Sequence, residues 1–219
     1  MRCWPDPQVQ LANALVTADP LHNKTDTARV IVEKGGDYLI GTKENTSKRL
    51  ATAQQALRAA ADFFHQRGIS SLILGDSVTG EASEVAKVYG ALVRQITRYG
   101  DLAKPPFALI SGGECTVTVR GTGRGGRCTE FLLSLALDLA GAPNVHAIAC
   151  DTDGIDGSED NAGAVLFPES IERGLKVGLE ARALLAGNDA YGFFSGIGDL
   201  VLTGPTRTNV NDYRVILIT

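Results

Sequence analysis

The chain has 219 residues, 44% of them hydrophobic and 21% charged, the ordinary balance of a soluble globular protein. A net charge of −4 excludes a general nucleic-acid footprint, and no apolar run approaches the roughly 20 residues that span a bilayer. Cys3, Cys115, Cys128 and Cys150 show no C-x-x-C pairing, and His22, His65 and His146 are scattered. Neither a zinc site nor a disulfide framework is expected, and a cytoplasmic location fits the reduced thiols. The N-terminal residues MRCWPDPQVQ lack the apolar core of a signal peptide.

Residues 1–36 are weakly patterned: Val9 to Val16 reads as a short helix, and Pro5, Pro7, Pro20 and Gly35-Gly36 punctuate the rest. Tyr38 to Gly41 reads as a short strand. Helix signals follow, with Asn45 or Thr46 as N-cap, Leu50, Ala53, Leu57, Ala60, Ala61 and Phe64 on one face, and Gly68 as the stop. Ile69 to Leu74 has the compact apolar shape of a buried parallel strand. A loop from Gly75 to Glu81 leads into a helix over Ala82 to Tyr99. Strand, helix, strand, helix implies right-handed βαβ units. Lys104-Pro105-Pro106 stops that helix and marks the expected domain boundary, dividing the chain into 1–104 and 105–219.

Beyond the boundary, Phe107 to Ile110 is an apolar strand, and Cys115 to Val119 alternates like a half-exposed antiparallel one. A helix is expected over Arg127 to Leu139, a strand over Val145 to Cys150, and another over Ala164 to Phe167. Two helices across 169–186 and a short one over Ala190 to Phe194 precede the last strands, Asp199 to Leu202 and Tyr213 to Ile218. The class is α/β with a mixed sheet.

Three loops carry the chemistry. In the first, Gly121, Gly123, Gly125 and Gly126 alternate with Arg120, Arg124 and Arg127 at a helix start. Glycines admit a ligand close to the backbone, and a helix N-terminus offers free N–H groups and a positive dipole end, which together suit phosphate or carboxylate. The spacing Gly121, Gly123, Gly126 also spells a dinucleotide fingerprint, but the preceding alternating strand is not the doubly buried one that motif requires. It is not a P-loop either, because Arg127 and Cys128 stand where lysine and a magnesium-binding hydroxyl belong. Cys128, at a helix start beside arginines, is expected to have a lowered pKa.

The second loop, Asp151 to Gly157, gathers Asp151, Asp153 and Asp156 after an apolar strand, where open sheets place ligands. Three carboxylates so close repel unless a cation or donors sit among them, and Asp-Gly turns are the alternative reading. Asp153 is the favoured member. The third loop, Thr203 to Asp212, packs threonines and asparagines that suit a small polar ligand or the loop's own backbone.

Taken together, Ser111-Gly112-Gly113-Glu114, Gly123-x-Gly125-Gly126-Arg127-x-x-Glu130-Phe131, Thr152-Asp153-Gly154-Ile155-Asp156-Gly157, Asn188-Asp189-Ala190-Tyr191 and Thr203-Gly204-Pro205-Thr206-x-Thr208-Asn209-Val210-Asn211-Asp212 resemble the MOFRL domain. That domain is the C-terminal part of type II glycerate kinases, relatives of which are often labelled hydroxypyruvate reductases. Residues 38–100, with Asp76-Ser77-x-x-Gly80-Glu81-Ala82, resemble more loosely the end of the family's Rossmann-like N-terminal domain. Cys128 departs from the family's asparagine. The family's N-terminal half, with a glycine-rich loop and a catalytic lysine, has no counterpart here.

The resemblance implies a three-layer α/β/α fold with a mixed sheet, preceded by a partial Rossmann-like βαβα segment. It also implies transfer of the ATP γ-phosphoryl group to D-glycerate with Mg2+. Arg127, Glu114 and Asp153 would be catalytic. Ser111, Gly112, Gly113, Gly123, Arg124, Gly125, Gly126, Thr206 and Asn209 would bind substrate or phosphate, and Asp153 and Asp156 would hold the metal. The alternatives are an NAD(P)-dependent hydroxypyruvate reductase and a non-catalytic ligand-binding remnant. A homodimer, or association with an N-terminal half, is the expected assembly, with no nucleic-acid or membrane partner.

Overall fold

The computed structural model describes residues 15–18, 37–40 and 52–219, which fall into two compact units. The first, residues 1–50 with Arg207–Asn209, contains strands β1 (Leu15–Ala18) and β2 (Asp37–Ile40), paired in parallel with Leu15 opposite Asp37. β2 therefore forms where a strand was expected, whereas Leu15 and Val16, expected in a helix, are extended. The rest of that expected helix, and the caps Asn45 and Thr46, lie outside the described residues.

The second unit comprises residues 51–206 and 210–219. In chain order it holds α1 (Ala53–His65), β3 (Ser70–Val78), α2 (Ala82–Tyr99), β4 (Phe107–Gly113), α3 (Arg127–Leu139), β5 (Val145–Asp151) and β6 (Gly163–Leu166). Then come α4 (Ser170–Lys176), α5 (Ala181–Ala186), α6 (Ala190–Ile197), β7 (Leu200–Val201) and β8 (Asp212–Ile218). The expected boundary at 104/105 falls inside this unit, because β3 pairs directly with β4. β2 and β3 lie in different sheets, so the expected strand–helix–strand–helix segment is not one continuous sheet.

The sheet order is β3-β4-β8-β5-β6-β7, with β3 and β4 parallel and every other pair antiparallel. Helices cover both faces. Leu57 of α1 packs with Ala108, Ile110 and Val215 on one side. Leu109, Val145, Ala147 and Ile216 face α2, α3 and α6 on the other. That two-sided burial is why Phe107 to Ile110 is a continuous apolar run rather than an alternating one.

Local signals explain the helices. Thr52 caps α1 in a capping box, its hydroxyl accepting from the Gln55 amide at 3.1 Å while Gln55 Oε1 accepts from the Thr52 amide at 2.9 Å. α2 buries Ala82, Ala86, Tyr89, Val93 and Ile96, one stripe at helical spacing, and ends at Gly100 in the left-handed conformation. α3 is buried from Cys128 through Ala136, and Tyr89 meets Phe131 edge-on with ring centroids 5.3 Å apart.

The segment Cys115 to Val119 is not the strand its alternation suggested. Only Thr116 bridges, its amide donating to Gly80 O at 2.8 Å and its carbonyl accepting from Ala82 N at 2.9 Å. The alternation of this segment comes from Cys115 packing inward while Thr116 and Thr118 stay out.

Candidate active site

The registers bring four strand ends to one edge of the sheet: Val78 lies opposite Gly113, Gly113 opposite Asp212, and Asp212 opposite Asp151. Two of these neighbours, Asp151 and Asp212, are buried carboxylates on adjacent strands. Like charges in that position repel. Arg127, the first residue of α3, lies between them, its Nε donating to Asp212 Oδ1 at 2.7 Å and its Nη2 to Asp151 Oδ2 at 2.5 Å. Its Nη1 lies 3.7 Å from Glu114, whose side chain is 61% exposed. Burial opposes the Arg127 charge, but the Asp212 and Asp151 carboxylates outweigh it and hold the guanidinium pKa above its ordinary value. Burial also pushes the Asp151 carboxyl up to about 6, against the lowering influence of the Asp153 amide and Arg127.

A second arginine stands behind the first. Arg214 is wholly buried, donates from Nη2 to Asp212 Oδ2, reaches Cys115 Sγ at 3.3 Å, and lies over the Phe131 ring. Its Nε is buried without a hydrogen-bond partner among the described residues. The chain Arg214–Asp212–Arg127–Asp151 fixes the Arg127 fork and leaves its Nη1 edge turned toward Glu114. Beside it opens a cleft of about 460 Å³ lined by Asp76, Ser77, Thr79, Gly113, Glu114, Cys115, Thr116 and Asn211.

The glycine loop proves to be packed rather than open. Arg120 N and Gly121 N donate to Asn188 Oδ1 at 2.6 and 3.0 Å, Gly123 N to Gly187 O at 3.0 Å, and Arg124 N to Asp189 Oδ1 at 3.1 Å. A Cβ on Gly123 would lie 2.5 Å from Asp189 Cβ, and one on Gly126 2.3 Å from Asp156 Oδ1. These glycines serve close packing against 187–189 and Asp156. Gly125 has φ +148°, a conformation that disfavours any side chain.

The anion that a free helix N-terminus invites is supplied by the protein. Asp156, wholly buried, accepts from Cys128 N and Thr129 N at 2.9 Å each and from Thr129 Oγ1 at 2.8 Å. Burial raises its pKa, while these three donors lower it. With both oxygens engaged on α3, Asp156 is placed as a helix cap and not as an open metal ligand. Cys128 is likewise corrected: burial, then the Asp156 and Asp212 charges, push its thiol pKa well up and outweigh the lowering influence of Arg214.

The other expected residues scatter. Ser111 is buried and accepts from Tyr89 Oη at 2.8 Å, on the α2 side of β4. Gly112 and Gly113 sit where β4 meets β8 and β3; a Cβ on Gly113 would lie 2.2 Å from Val78 O. Arg124 pairs with Glu159 at 2.5 Å and stacks over Tyr191. Asp153 accepts from Ile155 N at 2.8 Å in an Asx turn, and its carbonyl accepts from Thr206 N at 2.9 Å. Asn209 belongs to the first compact unit. Among the described residues no group of three or more His, Cys, Asp or Glu is placed to hold a metal ion. Sequence reasoning missed Arg214 altogether and did not single out Asp212. The available signal was an arginine and an aspartate two apart in an otherwise apolar strand, which puts both on one buried face.

Residues 107–212 match the model of the MOFRL family. They form a MOFRL domain. Over 196 residues the chain is 45% identical to an Agrobacterium vitis protein named "Putative hydroxypyruvate reductase", covering 88% of this chain and 45% of that one. It is 33% identical to the D-glycerate 2-kinase of Thermotoga maritima, over 77% of this chain and 40% of that protein. The crystal structure of a Thermotoga maritima glycerate kinase superposes with a TM-score of 0.76 at 27% identity, covering 95% of this chain and 57% of that chain. The chain thus spans about half the length of the curated relatives it matches. Among the described residues, no helix of the MOFRL domain or its flanks is long and apolar enough to cross a membrane.

Proposed function

We propose that the chain supplies the acceptor side of a glycerate kinase, in which the ATP γ-phosphoryl group passes to a hydroxyl of D-glycerate. The observation that carries this reading is the Arg127 fork held by two buried carboxylates, with its Nη1 3.7 Å from Glu114, which lines the cleft. Phosphoryl transfer depends on positioning and on cationic compensation more than on covalent chemistry. With Nε and Nη2 committed, Arg127 offers one pre-oriented edge to an anionic oxygen, the glycerate carboxylate or the transferred group. Glu114 sets the side from which that oxygen enters. Asp76, Ser77 and Thr116 line the cleft as partners for the substrate hydroxyls. The packed glycine-loop amides of Gly123 and Arg124 are not offered as phosphate donors.

ATP and Mg2+ belong to the same proposal. Mg2+ is usually held by one or two carboxylates together with substrate phosphates. Asp156 does not fit that role; Asp153 does, since one oxygen closes the Asx turn and the other accepts no hydrogen bond among the described residues. The metal would neutralise charge on the phosphates. A cytoplasmic location and association with a further polypeptide, a second copy or an N-terminal half, complete the reading.

A coupled assay with ATP, magnesium and D-glycerate tests it. The purified chain stays at background, and activity rises when a polypeptide corresponding to the rest of the relatives' length is added. Turnover of about 1 s⁻¹ or more by the chain alone, the lower end for kinases, would show that no second half is needed. The names of the Agrobacterium relatives favour a second reading, an NAD(P)-dependent hydroxypyruvate reductase. The helix end that would take a pyrophosphate is filled by Asp156, and NADH fluorescence is expected to stay unchanged on titration with the chain.

A further inference from the structure

A second cleft, of about 480 Å³, lies on the helical layer between α2, α3 and α5, with Thr118, Arg120 and Asn188 at one end. That volume is within the usual range of small-molecule sites. Most charges lining it are already spent. Glu81 accepts from Thr118 N at 2.9 Å and Thr118 Oγ1 at 3.0 Å, Lys87 pairs with Glu84 at 2.6 Å, and Arg94 pairs with Asp138 at 2.6 Å.

Three charges remain. Glu130, on α3, is only 5% exposed, yet its carboxylate has a single hydrogen bond among the described residues, from Asn188 Nδ2 to Oε2 at 3.0 Å. A buried carboxylate short of donors is costly unless a ligand completes it. Burial raises its pKa, the Asn188 hydrogen bond lowers it, the Glu81 carboxylate raises it further, and the Arg120 guanidinium acts to lower it, so Glu130 feels charges of both signs across the cleft. They form no ion pair, and the guanidiniums of Arg120 and Arg182 make no hydrogen bond among the described residues. Opposite charges thus line one cleft without collapsing together.

We propose that this cleft binds a small zwitterion of the α-amino acid class. The ammonium group sits on Glu130, to which it brings the missing donors, and the carboxylate meets the Arg120 and Arg182 guanidiniums. The site is distinct from the Arg127 cleft but shares a loop with it. Asn188, which bonds Glu130, also accepts from Arg120 N and Gly121 N, at the start of the segment that ends in Arg127. An occupant at Glu130 therefore bears on that loop, and by reciprocity an anion at Arg127 bears on the occupant.

Calorimetry with glycine and L-alanine as probes tests the site, with acetate and methylammonium as half-ligands. Either amino acid is expected to bind at least about tenfold more tightly than both half-ligands, since each end contributes a charge-assisted contact. Glu130→Gln is expected to abolish the preference. Arg182→Gln, on an exposed position that leaves the core intact, is expected to weaken binding about threefold or more. Arg127→Ala should leave glycine binding in place, so loss of the phosphate site and loss of this one are separable. No saturable heat up to about 10 mM of either probe, amino-acid binding no tighter than acetate, or unchanged binding in both Glu130→Gln and Arg182→Gln would overturn the proposal.

Discussion

Replacing Arg127 with alanine is the sharpest test of the site, because it acts on stability and on anion binding at once. In the intact protein the guanidinium lies between Asp151, 4% exposed, and Asp212, 2% exposed, which sit directly opposite each other on β5 and β8. Removing it leaves Asp151 uncompensated and Asp212 with Arg214 alone. Breaking a buried pair in this way costs about 3–5 kcal/mol, which for a chain of this size lowers the melting temperature by roughly 6–20 °C. The sign of the pH dependence follows from linkage. Asp151, already raised by burial, loses the lowering influence of Arg127 in the variant, so the loss is full above its folded pKa and shrinks as pH falls through it. Urea unfolding of wild type and Arg127→Ala at pH 8 and pH 5 is the assay, with phosphate calorimetry alongside. A loss below about 1 kcal/mol at pH 8, the size of an exposed pair, would refute the reasoning, as would an equal loss at both pH values. Unchanged phosphate affinity would remove Arg127 from the binding site whatever its role in folding.

Wild-type stability is expected to fall as pH rises from about 4 to 7, since burial raises Asp151 to about 6, and Glu130 and Asp156 shift in the same direction. The Asp151 contribution is on the order of 3 kcal/mol, and a melting temperature that climbs steadily over that range contradicts it. Asp156→Ala removes three hydrogen bonds from the first turn of α3 and should cost about 2–4 kcal/mol, read by chemical denaturation; a neutral outcome would mean the helix end is not capped by this residue. In a Cys3→Ser background, Cys115, Cys128 and Cys150 should react with a thiol reagent at pH 8 no faster than the protein unfolds, because burial pushes all three thiols up, Cys150 to about 12. A rapid stoichiometric burst from Cys128 would restore the expectation of a lowered thiol pKa there.

Much of the framework was legible in the chain itself. The stripe Ala82, Ala86, Tyr89, Val93 and Ile96 could only be one helix face, and the unbroken run Phe107 to Ile110 could only be a strand covered on both sides. Arg127 stood out by composition, the last arginine of a glycine loop at a helix start, and Asp151 to Asp156 by their position after an apolar strand. What pattern could not reveal was pairing across distance. Asp212 and Arg214 are 85 and 87 residues from Arg127 in sequence, and only the β5–β8 and β4–β8 registers bring their strand between the other two. Contacts between loops likewise decide that Asp156 serves α3 and that the glycine-loop amides serve 187–189, so the free donors expected from the sequence are already spent. A local motif states which groups are available. Whether each one faces a ligand or another part of the chain depends on which strand ends meet, because a charge buried between neighbours is satisfied by whatever the sheet places beside it.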